Sequence, residues 1–352
     1  MEQVWIRSAG GPEVLEVREA PDLHPRAGQI RIAVSAAGVC FADVLARAGL
    51  YPDAPKPPTV VGYEVAGHVD EVGAGVAGLT EGERVIALTH FGGYSSSVVV
   101  PADRVQVVPA GKDLKKAAGL PVNFLSAYLM LQRLGSLRSG EWVLIHAAAG
   151  GIGLAALQLA KNRGAVTIGT AREEKHERLR GMGLDHAIDY RTQDFETQVK
   201  EITAGRGVDV ALDSIGGTTM RKSYRCLAPL GRLFCFGFSA GAARSRRRAW
   251  RTMPPALATT PLFHPLQLMN ANKGVFGFNL GHLWDLTEEL RSSFGELIEM
   301  WALGQIDPVI DSIFPFERAG EAHAQLEDGR NFGKVLLVPT PLAASDASQP
   351  GG

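Results

Sequence analysis

The run Trp142-Val-Leu-Ile-His-Ala-Ala-Ala149-Gly150-Gly151-Ile152-Gly153 has the residue types and spacing to hold a phosphate. A short apolar strand breaks into glycines and continues as an amphipathic helix over 154–162. Glycine at 150 lets the backbone approach a pyrophosphate, and glycine at 153 allows close helix–strand packing. The helix start offers free N–H groups and the positive end of a dipole. The first glycine of the usual G-x-G-x-x-G is replaced by Ala148. Alone, the run also reads as a tight turn without a ligand. Its surroundings favour a dinucleotide site.

Alternation of strand and helix supplies those surroundings. Strands are predicted at 142–146, 166–170, 186–190, 208–213, 232–237 and 274–278. Helices are predicted between them at 154–162, 173–182, 195–203 and 220–227. Such a sequence of elements folds as a doubly wound parallel sheet, an α/β Rossmann domain. The second strand ends Gly169-Thr170-Ala171 and is followed by Arg172 and Lys175. An acid there would bind a ribose 2′-hydroxyl, whereas cations attract a 2′-phosphate. NADPH is therefore the expected cofactor, unless the two cations are only surface charges of the next helix.

Residues 1–122 read differently. Short β-rich segments at 30–34, 65–72, 84–88 and 94–100 are separated by glycine and proline, as in a compact β-barrel. A helix over 120–134 is expected to join this domain to the Rossmann domain at 123–280. Residues 281–340, with a helix at 286–302 and the apolar run 334–338, are expected to return to the first domain. The small, polar tail 341–352 is expected to be disordered. At 352 residues, two domains are the natural division. A net charge of −1 and 45% hydrophobic residues give no reason to expect a nucleic-acid partner. No apolar run reaches spanning length and no signal-peptide pattern opens the chain, so a cytoplasmic protein is expected. The three scattered cysteines fit a reducing compartment.

Several segments together resemble the medium-chain dehydrogenase/reductases, in the zinc-free quinone oxidoreductase branch with its vesicle-amine-transport-protein-like members. They are Gly38-Val-Cys-Phe-Ala-Asp43, Arg47-Ala-Gly-Leu-Tyr51-Pro, Gly62-Tyr-Glu64-Val-Ala-Gly67, Gly82-Glu-Arg-Val85, the glycine run and Gly333-Lys-Val-Leu-Leu. The resemblance implies a GroES-like domain beside the Rossmann domain, an active site in the cleft between them, and a homodimer through the Rossmann sheet edge. Zinc-using cousins hold the metal with Cys, His and Cys. Here Cys40 stands at the first position and Tyr63 at the second, and around the expected third, Pro121-Val122-Asn123-Phe124, there is no Cys or His. One thiolate cannot build a three-ligand catalytic site, so no metal is expected and Cys40 and Tyr63 read as walls of the substrate site.

Further residues carry over by position. The resemblance implies cofactor contacts at Tyr190, beside the 2′-phosphate, and at Ser214, Phe236, Gly237 and Asn331. Phe276 and Phe278 are expected near the nicotinamide, or else in the sheet core. Tyr51 is the expected hydrogen-bond or proton donor, with Asn123 second; a loop tyrosine and a helix N-cap are the plainer readings. Asp43 and Glu64 belong to family segments and read as structural at least as readily.

Hydride chemistry without a Lewis acid suits acceptors that delocalise charge, such as quinones, enones and enoyl thioesters. Five arginines crowd Arg244-Ser-Arg-Arg247-Arg-Ala-Trp-Arg251. They read as a solvated loop or as a phosphate clamp for coenzyme A, with 254–263 as a mobile cleft flank. On that reading a 2-enoyl thioester is the expected substrate, followed by quinones or enones. A cofactor-binding protein without catalysis is the alternative outside enzymology.

Overall fold

The computed structural model describes residues 1–241 and 246–340, the side chains of 246–251 excepted. Its second domain is a six-stranded parallel sheet. The strands lie in the order His186–Asp189, Val166–Ala171, Trp142–Ile145, Val208–Asp213, Leu227–Cys235 and Gly274–Gly277. This is the doubly wound order, with the first strand in sequence at the centre. The central strand is almost fully buried, as a sheet covered on both faces requires. The helix Gly151–Asn162 buries Leu154, Leu157 and Leu159 on one face and ends at Arg163.

The first domain is a seven-stranded sheet. Gln29–Val39 pairs antiparallel with Glu64–Val72, with Ser97–Pro101 and with Lys334–Val338. The strand at 334–338 thus sits beside the N-terminal segment that ends in Cys40, and Ile310–Pro315 pairs parallel to it. A small sheet of Glu2–Ile6, Leu15–Glu19 and Thr59–Val60 caps this domain.

The joining helix runs Pro121–Tyr128 and then widens to a π-helix over Leu129–Leu134. Its apolar side packs into a core continuous from Ala36, Ala66 and Ile86 of the first sheet to Val143 and Leu154 of the second domain. Two elements depart from expectation. The segment 254–263 is not a loose flank: helix Arg246–Thr259 runs through Pro254 and Pro255, and Phe263 then packs against Tyr224 at 5.0 Å. Each proline removes one N–H from the helical ladder, so the composition reads as a breaker although Ala256 is buried. The tail 341–352 lies outside the described residues.

One charged pair lies inside this core. Lys334 and Glu64 are both buried and form an ion pair, and Lys334 Nζ also donates to Cys40 Sγ at 3.2 Å. Removing one partner would strand the other charge away from water. Lys334→Met is expected to lower stability in urea-induced unfolding by about 3–5 kcal/mol. The double change Lys334→Met/Glu64→Gln should recover at least half of that loss, and an equal or larger loss would contradict the pairing.

Candidate active site

A cleft of about 1350 Å³ runs between the two domains. Its floor is the turn after the central strand. His146 ends the strand and Ala147 takes a left-handed backbone, φ 50°. Gly150 N–H then donates to the Ala147 carbonyl at 2.8 Å, and the helix begins at Gly151. A β-carbon on Gly153 would stand 2.4 Å from the Ala147 carbonyl, so the close packing requires glycine. Alanine at 148 is accommodated by its neighbour. A β-carbon on Gly169 would stand 2.8 Å from the Ala148 methyl. The space spared by glycine on the second strand takes up the methyl that the first lacks room for.

The cofactor end is polar. Ala149, Gly150, Gly151, Ile152, Arg172, Lys175, Tyr190, Ser214, Phe236, Gly237, Phe278 and Asn331 all line the cleft. Lys175 Nζ donates to the Gly329 and Asn331 carbonyls at 2.7 and 2.6 Å. Arg172 reaches the Asp328 carbonyl at 2.6 Å and the Tyr190 hydroxyl at 3.4 Å. Burial, and then the neighbouring Arg172, lower the Lys175 pKa. Two cations held this close fit a bound dianion, which would relieve their repulsion. Glu173 and Glu174 do not line the cleft. Gly237 allows the chain to pass tightly: a β-carbon there would lie 2.7 Å from the Ser214 carbonyl.

Phe276 is placed elsewhere. It lies on the edge strand, stacks on Phe234 at 5.0 Å and is 37% exposed. Alternation explains the difference: Phe276 and Phe278 point the same way, but only the latter has passed the end of the strand and turned into the cleft. Arg244 lies outside the described residues, as does the side chain of Arg247. Thr252, on the same helix as the latter, lines the cleft.

The acceptor end is formed by Cys40, Tyr51, Tyr63, Val122, Asn123, Leu280 and Trp284. Asp43 sets its geometry from below. Its carboxylate accepts from Cys40 N at 2.8 Å, Gly62 N at 3.0 Å and the Tyr94 hydroxyl at 3.0 Å. Those bonds fix the chain ends that carry Cys40 and Tyr63. Glu64 accepts from Val122 N at 2.7 Å, holding the joining helix, and Cys40 Sγ lies 3.6 Å from the same carboxylate. Burial pushes the Cys40 thiol up, so it is neutral. Burial works against the Lys334 charge, but the Glu64 carboxylate holds its pKa above the ordinary value. Asn123 is the third residue of its helix rather than its cap; its amide donates to the Gly119 carbonyl at 3.3 Å and lies against Gly151. Lys334 lines the cleft and escapes sequence reasoning, because it appears only as the polar start of an apolar strand.

This donor set does not suit zinc. A thiol, a phenol and an amide line this end of the cleft, and no group of three metal-ligating side chains occurs among the described residues.

A glycine turn under a cleft, two cations at one end and a phenol-lined pocket at the other fit a two-domain nucleotide-dependent oxidoreductase. The comparisons agree. The family described as "Alcohol dehydrogenase GroES-like domain" matches residues 26–110, and "Zinc-binding dehydrogenase" matches 182–337. The synaptic vesicle membrane protein VAT-1 homolog of Mus musculus is 38% identical over 338 residues, spanning 94% of this chain and 82% of its own. A 2-haloacrylate reductase of a Burkholderia species is 35% identical, spanning 95% and 98%. Quinone oxidoreductase of Escherichia coli, solved with NADPH, superposes with a TM-score of 0.86 at 32% identity, covering 96% of this chain and 100% of that one. The chain belongs to the medium-chain dehydrogenase/reductases, in the VAT-1 and quinone oxidoreductase branch. No helix among the described residues is long and apolar enough to cross a membrane.

Burial raises the Asp43 pKa to about 6, against the three hydrogen bonds that oppose it. The folded protein therefore keeps this proton when the unfolded chain has lost it. Stability from Asp43 is full below pH 4 and falls between pH 4 and 6, by about 3 kcal/mol. Relative to Asp43→Asn, the wild type should lose that amount across this window; parallel pH curves would contradict it.

Proposed function

We propose that the protein is a zinc-independent, NADPH-dependent reductase that transfers hydride to a C=C bond conjugated to a carbonyl. The observation that carries this is the acceptor end, where a phenol, a thiol and an amide line the cleft, Cys40 and Tyr63 standing where the resemblance puts two ligands of zinc-using cousins. Hydrogen bonds can stabilise an enolate oxygen or deliver a proton to carbon, but they polarise an unactivated ketone poorly. Bound NADPH would supply the hydride, which adds at Cβ. Tyr51 donates the proton that Cα requires. Burial raises its pKa, so the phenol is protonated at neutral pH. Arg172, Lys175 and Tyr190 would hold the 2′-phosphate, and the turn at 150–153 the pyrophosphate.

Among acceptors, a 2-enoyl thioester such as an enoyl-CoA ranks first. The arginine run directly precedes Thr252, which lines the cleft, and this closeness in sequence supports the ranking. Quinones and simple enones are the alternatives, supported by the relatives' names. A homodimer through Gly274–Gly277 is also proposed. That strand is the sheet edge, Phe276 is exposed on it, and Leu266 and Met269 on the preceding helix are exposed beside it.

NADPH absorbance read across an enoyl-CoA, an enone and a quinone tests the reaction. Oxidation should be fastest with the enoyl-CoA, and Tyr51→Phe should lower kcat/KM by roughly 10²–10⁴-fold. Binding of NADPH with no oxidation across the panel would favour a cofactor-binding protein instead. Arg172→Ala and Lys175→Ala should each cut the preference for NADPH over NADH by about tenfold or more. An unchanged ratio would remove them from the phosphate site.

A further inference from the structure

The hydroxyl of Tyr63 is out of place by ordinary packing rules. Its residue is 6% exposed, its oxygen is shielded from water, and it makes no close hydrogen bond among the described residues; the hydroxyl that bears on it is that of Tyr51. A buried hydroxyl left unpaired is costly, and a phenylalanine would fill the same space without that cost. The ring itself is firmly held. The Tyr63 carbonyl accepts from Thr89 N at 2.8 Å, and the Gly62 carbonyl accepts from Thr89 Oγ1 at 2.9 Å. Phe91 packs on one side at 5.2 Å, and Tyr51 meets it edge-on at 6.5 Å between ring centres. The shielded oxygen thus sits on a ring packed edge-on against the Tyr51 phenol.

Tyr51 is approached from two sides. Its oxygen lies against the turn after the last Rossmann strand, where a β-carbon on Gly281 would stand 3.5 Å away. Asn279 belongs to that turn and bonds Asp53 at 3.3 Å; His282 bonds the same carboxylate at 2.8 Å. The charged and titratable groups around Tyr51 are therefore Tyr63 behind it, with Cys40 and Asp43 beyond, and Asp53 with His282 at the mouth. His90, stacked on Phe91 at 4.7 Å, is the nearest other imidazole on that wall.

Resting on Tyr51 as the proton donor, we infer that Tyr63 is a positioning residue whose hydroxyl closes onto Tyr51 only when Tyr51 has given up its proton. In that step a C–H bond forms at Cα and the Tyr51 O–H bond breaks. The bonding pair stays on the Tyr51 oxygen, which becomes a phenolate. A neutral Tyr51 has weak need of another donor, but a phenolate in a half-buried pocket needs one strongly. Tyr63 meets that need with a hydroxyl that is already desolvated, on a ring in contact with Tyr51. The bond is worth most when charge has developed, which is the condition for it to raise kcat rather than tighten substrate binding. The neighbouring Asn279 amide also favours the Tyr51 phenolate, by lowering its pKa against burial. Burial and the Asp43 carboxylate keep Tyr63 itself protonated and able to donate. The residue that replaces a metal ligand thereby serves the reaction through its neighbour.

The test is Tyr63→Phe, which keeps the ring and its packing. We expect kcat to fall roughly ten- to hundredfold, the loss of one hydrogen bond to a charged group, with KM little changed. Thermal stability should be unchanged or higher, because an unsatisfied hydroxyl has been removed. Tyr51 ionisation, read in the cofactor-free protein as the phenolate absorbance lost in Tyr51→Phe, should move to higher pH in Tyr63→Phe. Unchanged kcat, a fall in kcat that tracks lost stability, or an unmoved titration would each overturn the inference. Full activity of Tyr51→Phe would instead refute the proton-donor role, and the titration would still report whether the two phenols touch.

Discussion

The ion pair between Lys334 and Glu64 is sealed from water, and the site is assembled around it. Lys334 comes from a strand 294 residues beyond Cys40, yet its ammonium touches both that thiol and Glu64. The second carboxylate oxygen of Glu64 holds Val122 N–H at the start of the joining helix. Three distant segments therefore meet at one carboxylate. Glycine at 38 leaves the space: a β-carbon there would fall 2.5 Å from Glu64 and 2.6 Å from Lys334. Such a pair need not stabilise the fold more than an apolar cluster would. What it does is define where the segments stop.

That placement extends to the cofactor end. Gly333, one residue before Lys334, donates to the Ala149 carbonyl at 2.9 Å and forms a bridge with Gly150. The segment 328–331 just before it supplies the carbonyls that hold Arg172 and Lys175. Anchoring one lysine thus sets the glycine turn, the cationic pocket and the acceptor wall in register. On the proposed reading, the polar end of the cleft holds charge already present on the cofactor, and the apolar end, with its few phenol and amide groups, meets charge that appears during reaction.

Much of this was legible in the sequence, for physical reasons that also explain the failures. Hydrophobic runs of strand length between helical stretches located all six Rossmann strands, because a buried parallel sheet leaves continuous apolar runs. The glycine turn was legible because backbone approach demands glycine. The tolerance of Ala148 was not, since it depends on Gly169 in the next strand. Phe276 and Phe278 could not be separated, because strand alternation does not say where the strand ends. The helix at 246–259 was hidden by its two prolines. Lys334 was hidden by distance: nothing local tells that a lysine opening an apolar strand will meet Glu64. The same holds for the unpaired hydroxyl of Tyr63, which sequence position marks only as a missing metal ligand.

In the proposed reaction, this cleft passes hydride from NADPH to the β-carbon of a conjugated acceptor and a proton to the neighbouring carbon. Isotope placement in the product tests it most directly. With NADPH deuterated at the transferring position of the nicotinamide and an enoyl-CoA or enone as acceptor, deuterium should appear at Cβ alone. In deuterated water with ordinary NADPH, it should appear at Cα alone. Deuterium at Cα from NADPH, at oxygen-bearing carbon, or nowhere in the product would contradict the account.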